Sequence, residues 1–318
     1  HKIVVRSEGY SFISGNCHHL SQRSRVSFNK MSYDYMLCLT ATLSREVRDY
    51  LTYKFKDLRF VKVGIKEAID SNILPDPMVY LLPLKLDNTR ATEILVKNKG
   101  NGKTKKKIVE CTYHNRWNYL KDKSIELHIK CTPLQYYIEN AKTIEYLKSH
   151  CSNKQVYLYK CGERLKWLSN QKTLIVKSIL SKLKNIRTLT FCNSIEQAEQ
   201  LGSNAVHSKN KKSDELVKSF NEKKIKHLTA IEILTEGITL ADCKVGVYAC
   251  LNSSNRLTTQ KLGRLLRHKS PVLVIPYYIN TREEEIVKDM ILDYNPEIPK
   301  EKVEELIKVI NTINEIEL

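Results

Sequence analysis

The stretch TLTFC at residues 188–192, followed by Asn193 and Ser194, decides the fold of this 318-residue chain. Its apolar and β-branched residues predict a buried strand, and Ser194 with Gln197 three positions later has the capping-box pattern of a helix start. Similar buried strands are predicted for MVYLLPL at 78–84, KVGVYA at 244–249 and PVLVI at 271–275. Strands that alternate with helices predict an α/β fold, a mainly parallel sheet with helices on both faces.

The remaining segments extend this alternation in both directions. YMLCL at 35–39 and FVKV at 60–63 predict strands, and the four-residue spacing of Val47, Leu51 and Phe55 between them predicts a helix. Further helices are predicted to start at Ser213, at the capping box of Thr281 and Glu284, and over residues 301–316. No internal repeat is evident.

Residues 86–165 interrupt the alternation and are interpreted as an insertion. ILV at 94–96 and IVEC at 108–111 are separated by a stretch rich in Lys, Gly and Asn, which predicts a hairpin with a long basic tip. Helices are predicted over 136–147 and 165–183. The basic tip has six positive charges, at Lys97, Lys99, Lys103, Lys105, Lys106 and Lys107.

Charge and cysteine usage narrow the class of protein. The 53 Lys and Arg exceed the 35 Asp and Glu by 18, an excess that favours nucleic acid as the partner. No apolar run approaches the roughly 18–20 residues that cross a bilayer, so no membrane partner is expected. The nine cysteines include no C-x-x-C pair and have no regular metal-ligand spacing, which favours buried thiols in a reducing compartment over disulfides or a metal site.

The most specific segment is QKLGRLLR at residues 260–267. On a helix, Gln260, Arg264 and Arg267 project from one face, because they are separated by four and three residues. A planar guanidinium bonds two phosphate oxygens at once, so this face is suited to gripping phosphate. Gly263 leaves room for a close backbone or nucleotide. A solvated basic helix is the alternative, and it does not explain a Gly and a Gln at these offsets.

This segment resembles motif VI of the superfamily 2 helicases, in particular DEAD/DEAH-type helicases of the phage and bacterial kind. Three more segments agree with that family in order and spacing: LTAT at 39–42 is similar to motif III, TFCNS at 190–194 to motif IV, and LTEGITL at 234–240 to motif V. Thr239 stands where the family usually has an acidic or amide residue. The resemblance covers about residues 15–80 and 185–281.

The resemblance implies two RecA-like domains with ATP and Mg²⁺ between them in the complete enzyme. Arg264 and Arg267 would be arginine fingers that reach the nucleotide across the cleft, and Gln260 would help to position the γ-phosphate or its water. The nucleotide-binding residues would include Glu236, Gly237 and Gly263. The residues that couple nucleotide state to strand tracking would be His18, Thr40, Ala41 and Thr42. The implied nucleic-acid contacts are Asn193, Ser194 and Thr235.

Two parts of the family's catalytic machinery are missing from the sequence. GNCHHL at 15–20 aligns with the D-E-x-H box, but Gly15 and Asn16 stand where its two carboxylates belong. Gly102-Lys103-Thr104 is not a P-loop, because Lys97 occupies the position of the first glycine and three more lysines follow. This stretch is interpreted as a basic loop whose Lys103, Lys105, Lys106 and Lys107 contact DNA or RNA phosphates.

The sequence therefore predicts residues 1–72 as the end of a first RecA-like domain, 73–281 as the second, and 282–318 as C-terminal helices. His1 in place of Met suggests a piece of a longer protein, with a first RecA-like domain upstream or in another chain. The leading hypothesis is the C-terminal part of an ATP-dependent helicase or translocase, DNA favoured over RNA, in the cytoplasm of a bacterium or phage-infected host. The alternative is a degenerate, non-catalytic nucleic-acid-binding module, and a third hypothesis is a nucleotidase using Lys103.

Overall fold

The computed structural model describes residues 2–5, 11–14, 45–54, 59–60, 63–97, 105–110, 125–231, 240, 242–252 and 268–308. The first half contains these elements: β1 (Lys2–Val5), β2 (Ser11–Ser14), α1 (Arg45–Lys54), α2 (Ile65–Asp70), β3 (Met78–Leu84), β4 (Thr92–Lys97), β5 (Lys105–Glu110), β6 (Ile125–Cys131) and α3 (Pro133–His150). The second half contains α4 (Lys154–Gln171), α5 (Thr173–Lys182), β7 (Thr188–Cys192), α6 (Ile195–Leu201), β8 (Ala205–Val206), α7 (Ser213–Asn221), β9 (His227–Ile231), β10 (Val245–Tyr248), β11 (Val272–Tyr278), α8 (Arg282–Tyr294) and α9 (Lys300–Lys308).

Six strands form one parallel sheet in the order β3-β11-β10-β7-β9-β8. Chain order and sheet order differ, because the chain runs from β7 to the β8 edge, returns to β9, and then crosses to β10 on the other side of β7. Parallel neighbours need such crossover connections, which the helices provide. The predicted α/β fold with a parallel, RecA-like sheet is confirmed.

Two apolar clusters cover the two faces of this sheet, since successive residues of a strand point to opposite sides. In β7, Leu189 and Phe191 pack with α7, α8 and α9 on one face, whereas Cys192 packs with α5 and α6 on the other. In β11, Leu273 and Ile275 join the first cluster, while neighbouring valines join the second. Burial on both faces explains why these strands read as continuous apolar runs in the sequence.

A separate three-stranded sheet has the order β4-β6-β5. The predicted hairpin is wrong, because β6 lies between β4 and β5, antiparallel to one and parallel to the other. The predicted basic loop is wrong in part, since Lys105, Lys106 and Lys107 belong to β5 and pair with residues 125–127 of β6. The inner face of this sheet packs on the helices through Ile129, Tyr136 and Trp167.

Several boundaries differ from the predictions. The helix expected over 165–183 is two helices that meet at Lys172, and the first of them begins earlier, at Lys154. FVKV at 60–63 is not a strand at its described residues, Phe60 and Val63. The strands at 78–84 and 188–192 lie where the sequence predicts them. The last helix is described over Lys300–Lys308, and the remainder of the predicted span lies outside the described residues.

Near the start of the chain, β1 and β2 pair antiparallel, and α1 buries Val47 and Leu51 as predicted. The predicted strand at 35–39 and residue Phe55 lie outside the described residues. The three domain boundaries, including the partial first domain and the insertion at 86–165, stay predictions. None of the described helices combines the length and apolar character of a membrane span.

Candidate nucleic-acid and nucleotide edge

The carboxyl ends of the parallel strands form the candidate site. The connections from β7 and β10 run in opposite directions across the sheet, so these neighbours form a topological switch point, where ligands of open α/β sheets bind. The Cys250 amide donates to the Phe191 carbonyl at 3.1 Å, which holds the residues after β10 against the end of β7. By chain order, residues 232–239 follow β9 and residues 253–267 follow the strand end at β10. The segment that resembles motif V therefore follows this edge directly, and the segment that resembles motif VI lies in the connection that leads from this edge to the start of β11.

Asn193 and Ser194, which follow β7, are held by the end of α4. The Ser194 hydroxyl accepts from the Gln197 amide at 3.2 Å, so it caps α6, and it donates to Asn170 Oδ1 at 3.3 Å. The Asn193 Nδ2 group donates to Ser169 Oγ at 3.3 Å. These bonds fix both residues against a neighbouring helix. Both lie at the start of the helix that follows β7, as motif IV predicts.

The predicted capping boxes are half confirmed. Ser194 and Thr281 do cap their helices, but the expected return bonds from the side chains of Gln197 and Glu284 to the cap residues are not formed. The Gln197 side chain donates from Nε2 to the Ser169 carbonyl at 2.6 Å instead of returning to Ser194. Likewise Thr281 caps α8 through the Glu283 amide, while Glu284 accepts from the Asn280 amide. In the first case a tertiary partner on α4 has replaced the local one.

Two buried amide oxygens at this edge, Asn193 Oδ1 and Gln197 Oε1, have no hydrogen-bond partner among the described residues. A buried acceptor without a donor costs about 1–3 kcal/mol, so we expect a donor from a ligand or from the undescribed part of the chain. Amide oxygens accept and cannot bind a phosphate oxygen. These two oxygens therefore do not themselves recognise a triphosphate, and none of Asn193, Ser194 or Gln197 can act as an acid or base near neutral pH.

A buried ion pair secures the other half of the edge. Lys172 Nζ lies 2.6 Å from Glu283 Oε1, both side chains are 0% exposed, and the same ammonium donates to the Pro276 carbonyl at 3.1 Å. Glu283 Oε2 accepts from the Tyr278 amide at 3.0 Å. The α4–α5 junction is thereby tied to the end of β11 and the start of α8. The sequence analysis missed both residues, which are 111 positions apart.

The other predicted site residues lie outside the described residues. These are Gln260, Gly263, Arg264, Arg267, Glu236, Gly237, Thr235, His18, Thr40, Ala41, Thr42 and Lys103. Lys105, Lys106 and Lys107 are described as part of β5, in the three-stranded sheet, whereas Asn193 and Ser194 follow a strand of the six-stranded sheet. The roles assigned to all of these residues stay predictions.

Free thiols are present at Cys131, Cys151, Cys161, Cys192, Cys243 and Cys250. The interpretation as buried thiols is confirmed for four of them, and Cys151 and Cys161 are half-buried. Burial raises the pKa of the Cys243 thiol to about 12, so it stays protonated at neutral pH. Burial also raises the pKa of Tyr248, which packs against Phe191 near the carboxyl edge.

The sheet order and switch point define a doubly wound, RecA-like α/β domain. Residues 171–269 match the family described as the helicase conserved C-terminal domain. The match covers about a third of the chain and agrees with the resemblance to superfamily 2 helicases over these residues.

Individual proteins match this chain at low identity. The ATP-dependent RNA helicase DHH1 of Encephalitozoon cuniculi is 27% identical over 143 residues, which cover 42% of this chain and 28% of that protein. The chain thus spans under a third of that relative. S. cerevisiae Dbp5 L327V bound to RNA and ADP BeF3 matches 94% of this chain and 61% of its own, at 11% identity and a TM-score of 0.49. The DEAD-box protein SrmB of E. coli, bound to the regulator RraA, matches 38% of this chain and 78% of its own, at 16% identity and a TM-score of 0.33.

Proposed function

We propose that this chain supplies the second RecA-like domain of an ATP-dependent helicase or translocase that acts on nucleic acid. The observation that carries the proposal is the helicase C-terminal match over residues 171–269. That range contains the segments similar to motifs IV, V and VI, which lie at the end of β7, after β9 and in the β10–β11 connection. The chemistry at such an edge requires residues of several loops to meet, as this topology allows.

In this proposal, phosphate recognition belongs to residues 260–267. Arg264 and Arg267 bind phosphate oxygens through their planar guanidiniums, and Gln260 orients the terminal phosphate or its water. Glu236, Gly237 and Gly263 approach the nucleotide. Bound ATP with Mg²⁺ would supply the hydrolysable phosphoanhydride, and its other contacts would come from a P-loop domain. His18, Thr40, Ala41 and Thr42 transmit the nucleotide state.

Asn193, Ser194 and Thr235 are proposed to contact the nucleic-acid backbone. Asn193 has a second Nδ2 hydrogen besides the one donated to Ser169 and can donate it to a phosphate, whereas Ser194 would first have to release Asn170 Oδ1. The preference for DNA over RNA stays a prediction from the motif resemblance. The names of matched proteins favour RNA instead: DHH1 is an RNA helicase and the Dbp5 structure contains RNA.

The second candidate is a non-catalytic nucleic-acid-binding module. Gly15 and Asn16 in place of the two acidic residues favour it, together with the net charge of +18. It predicts binding that weakens steeply with salt and is independent of nucleotide. The proposals therefore differ in whether ATP changes the affinity for a strand.

ATP turnover with an added P-loop domain tests the proposal. The chain is combined with a first RecA-like domain and assayed with single-stranded DNA and, separately, RNA. Helicase function predicts that the combination hydrolyses ATP faster than either part, and that Arg267→Lys, which keeps the charge but loses the fork, loses most of that gain. No gain with either nucleic acid, together with nucleotide-independent binding, would favour the module.

A further inference from the structure

The opposite, amino-terminal edge of the six-stranded sheet carries a concentration of lysines. The segments that lead into β9, β7, β10 and β11, four consecutive strands of the sheet, each bring at least one lysine to this edge. We call these residues the amino-edge lysines: Lys184, Lys223, Lys224, Lys226, Lys244 and Lys269. All are exposed except Lys244, which is half-buried. Because parallel strands start at the same edge, residues from distant parts of the chain meet here.

Backbone hydrogen bonds join the four segments. The Thr188 amide donates to the Lys226 carbonyl at 2.8 Å, and the Lys244 amide donates to the Arg187 carbonyl at 3.1 Å. The Val272 amide then donates to the Lys244 carbonyl at 2.8 Å. The arrangement of the lysines is therefore fixed by the sheet.

Few carboxylates oppose these charges. Among the described residues, Glu222 and Asp242 lie in these segments; Lys224 Nζ is 2.7 Å from Glu222, and Lys223 Nζ is 3.1 Å from Asp242. Six lysines against two carboxylates leave an excess of four positive charges. The excess ends beyond β11, because Asp70 and Asp76 are exposed before β3.

A turn at this edge has a lysine in a backbone conformation that usually favours glycine. Lys223 has a φ of 63° and follows the end of α7, where the left-handed conformation favours glycine. Asp242, its ion-pair partner, has a φ of 51°. Arg187 is used inside the edge, since its guanidinium stacks on the buried Phe220 ring at 4.2 Å and donates to the Asp242 carbonyl. Lys223, Lys224 and Lys226 have only solvent-exposed partners, and exposed ion pairs are weak, so a ligand can compete for these lysines.

We propose that the amino-edge lysines form a second nucleic-acid contact surface, which binds duplex phosphates without reading the bases. The choice of nucleic acid over an acidic protein rests on the proposed function. The described residues of this edge expose no aromatic ring, so the stacking that holds single strands is missing, whereas duplex phosphates need only cations. Four strands about 4.8 Å apart spread the lysines over roughly 14 Å, enough to contact phosphates on both sides of a groove about 12 Å wide.

Duplex binding over a salt series tests the surface. The variant Lys184→Gln/Lys226→Gln/Lys269→Gln removes three exposed lysines, one from each of the segments before β7, β9 and β11. The matched control, Lys148→Gln/Lys154→Gln/Lys166→Gln, removes three exposed lysines from α3 and α4. Binding is measured by fluorescence anisotropy with a short duplex. For the first variant, the affinity at about 0.1 M salt should fall at least about 100-fold. The salt slope, which is the slope of log affinity against log salt concentration, should become smaller in magnitude by about 3. The control should change the slope by less than about 1.

The proposal would be overturned if both variants lost the same duplex affinity, or if neither lost any. It would also be overturned if polyglutamate at equal charge concentration displaced the duplex, because the edge would then be assigned to an acidic protein segment. The two proposals can fail separately, because Arg267→Ala changes the proposed nucleotide contact and leaves the amino-edge lysines intact. If the chain never supports ATP hydrolysis and only the amino-edge variant has a reduced salt slope, this inference stands and the helicase proposal is rejected.

Discussion

The two edges of the six-stranded sheet are built from the same strands and differ in their chemistry. At the carboxyl edge, Asn193, Ser194 and Gln197 are neutral, half-buried or buried, and bonded to α4. In the segments of the amino edge, lysines outnumber carboxylates six to two, and five of the six lysines are exposed. The difference agrees with two proposed roles: hydrogen-bonded groups at one edge hold fixed positions for a reaction, and exposed charges at the other attract a polyanion over a longer range.

The largest effect is expected at the buried ion pair that supports the carboxyl edge. Lys172→Met or Glu283→Gln alone should lower the free energy of unfolding by about 3–5 kcal/mol, because each leaves a buried group without its partner. Lys172→Met with Glu283→Gln should cost less than the sum of the single changes, since the amide oxygen introduced by Glu283→Gln can still accept from the Tyr278 amide. Urea denaturation measures all three variants. Strictly additive losses would mean that the pair does not couple the two helices.

A smaller effect is expected from Cys243, which lies before β10 at the amino edge. Its pKa is raised to about 12 from an ordinary value of 9.0, so between pH 9 and 12 the unfolded chain releases a proton that the folded chain keeps. Stability must therefore fall as pH rises, by about 1 kcal/mol between pH 9 and 10 from this thiol. Thermal or urea unfolding should show a shallower loss in Cys243→Ala. Identical pH profiles would contradict the burial argument.

An effect of similar size is expected at the α6 cap. Ser194→Ala removes the acceptor of the Gln197 amide and the donor to Asn170, and should cost about 1–2 kcal/mol. Ser181→Ala is the control, because Ser181 is exposed and donates only to a carbonyl of its own helix, that of Ser178. Its change should stay within about 0.5 kcal/mol. A loss at position 194 no larger than at 181 would show that the carboxyl edge is held mainly by Asn193 and Gln197.

The sequence predicted those parts of the fold whose signal is local. Burial on both faces makes β7 and β11 rich in apolar and β-branched residues, so their positions could be read directly. The order of the three-stranded sheet could not, although IELHIKC at 125–131 alternates in the manner of a half-buried strand and could have revealed β6. The pairing of strands that are distant in the chain has no local sequence pattern from which it could be predicted.

The candidate site divides in the same way. The Ser194 cap was predictable from Ser and Gln at the right offset, but the side-chain partner of Gln197 is Ser169, which lies in another helix. Lys172 and Glu283 are ordinary charged residues in the sequence, and only the fold brings them within 2.6 Å. Likewise the amino-edge lysines are scattered from 184 to 269, so their surface emerges only once the parallel strands are aligned.

The most direct test measures ATP turnover and duplex salt slope in one assembled protein that includes a P-loop domain. Arg267→Ala should lower kcat by roughly 10³-fold or more and leave the salt slope unchanged. The amino-edge variant should keep kcat within about twofold at saturating nucleic acid and lose about 3 from the slope. Unchanged turnover in Arg267→Ala, or parallel losses of both quantities in both variants, would contradict the assignment of separate roles to the two edges.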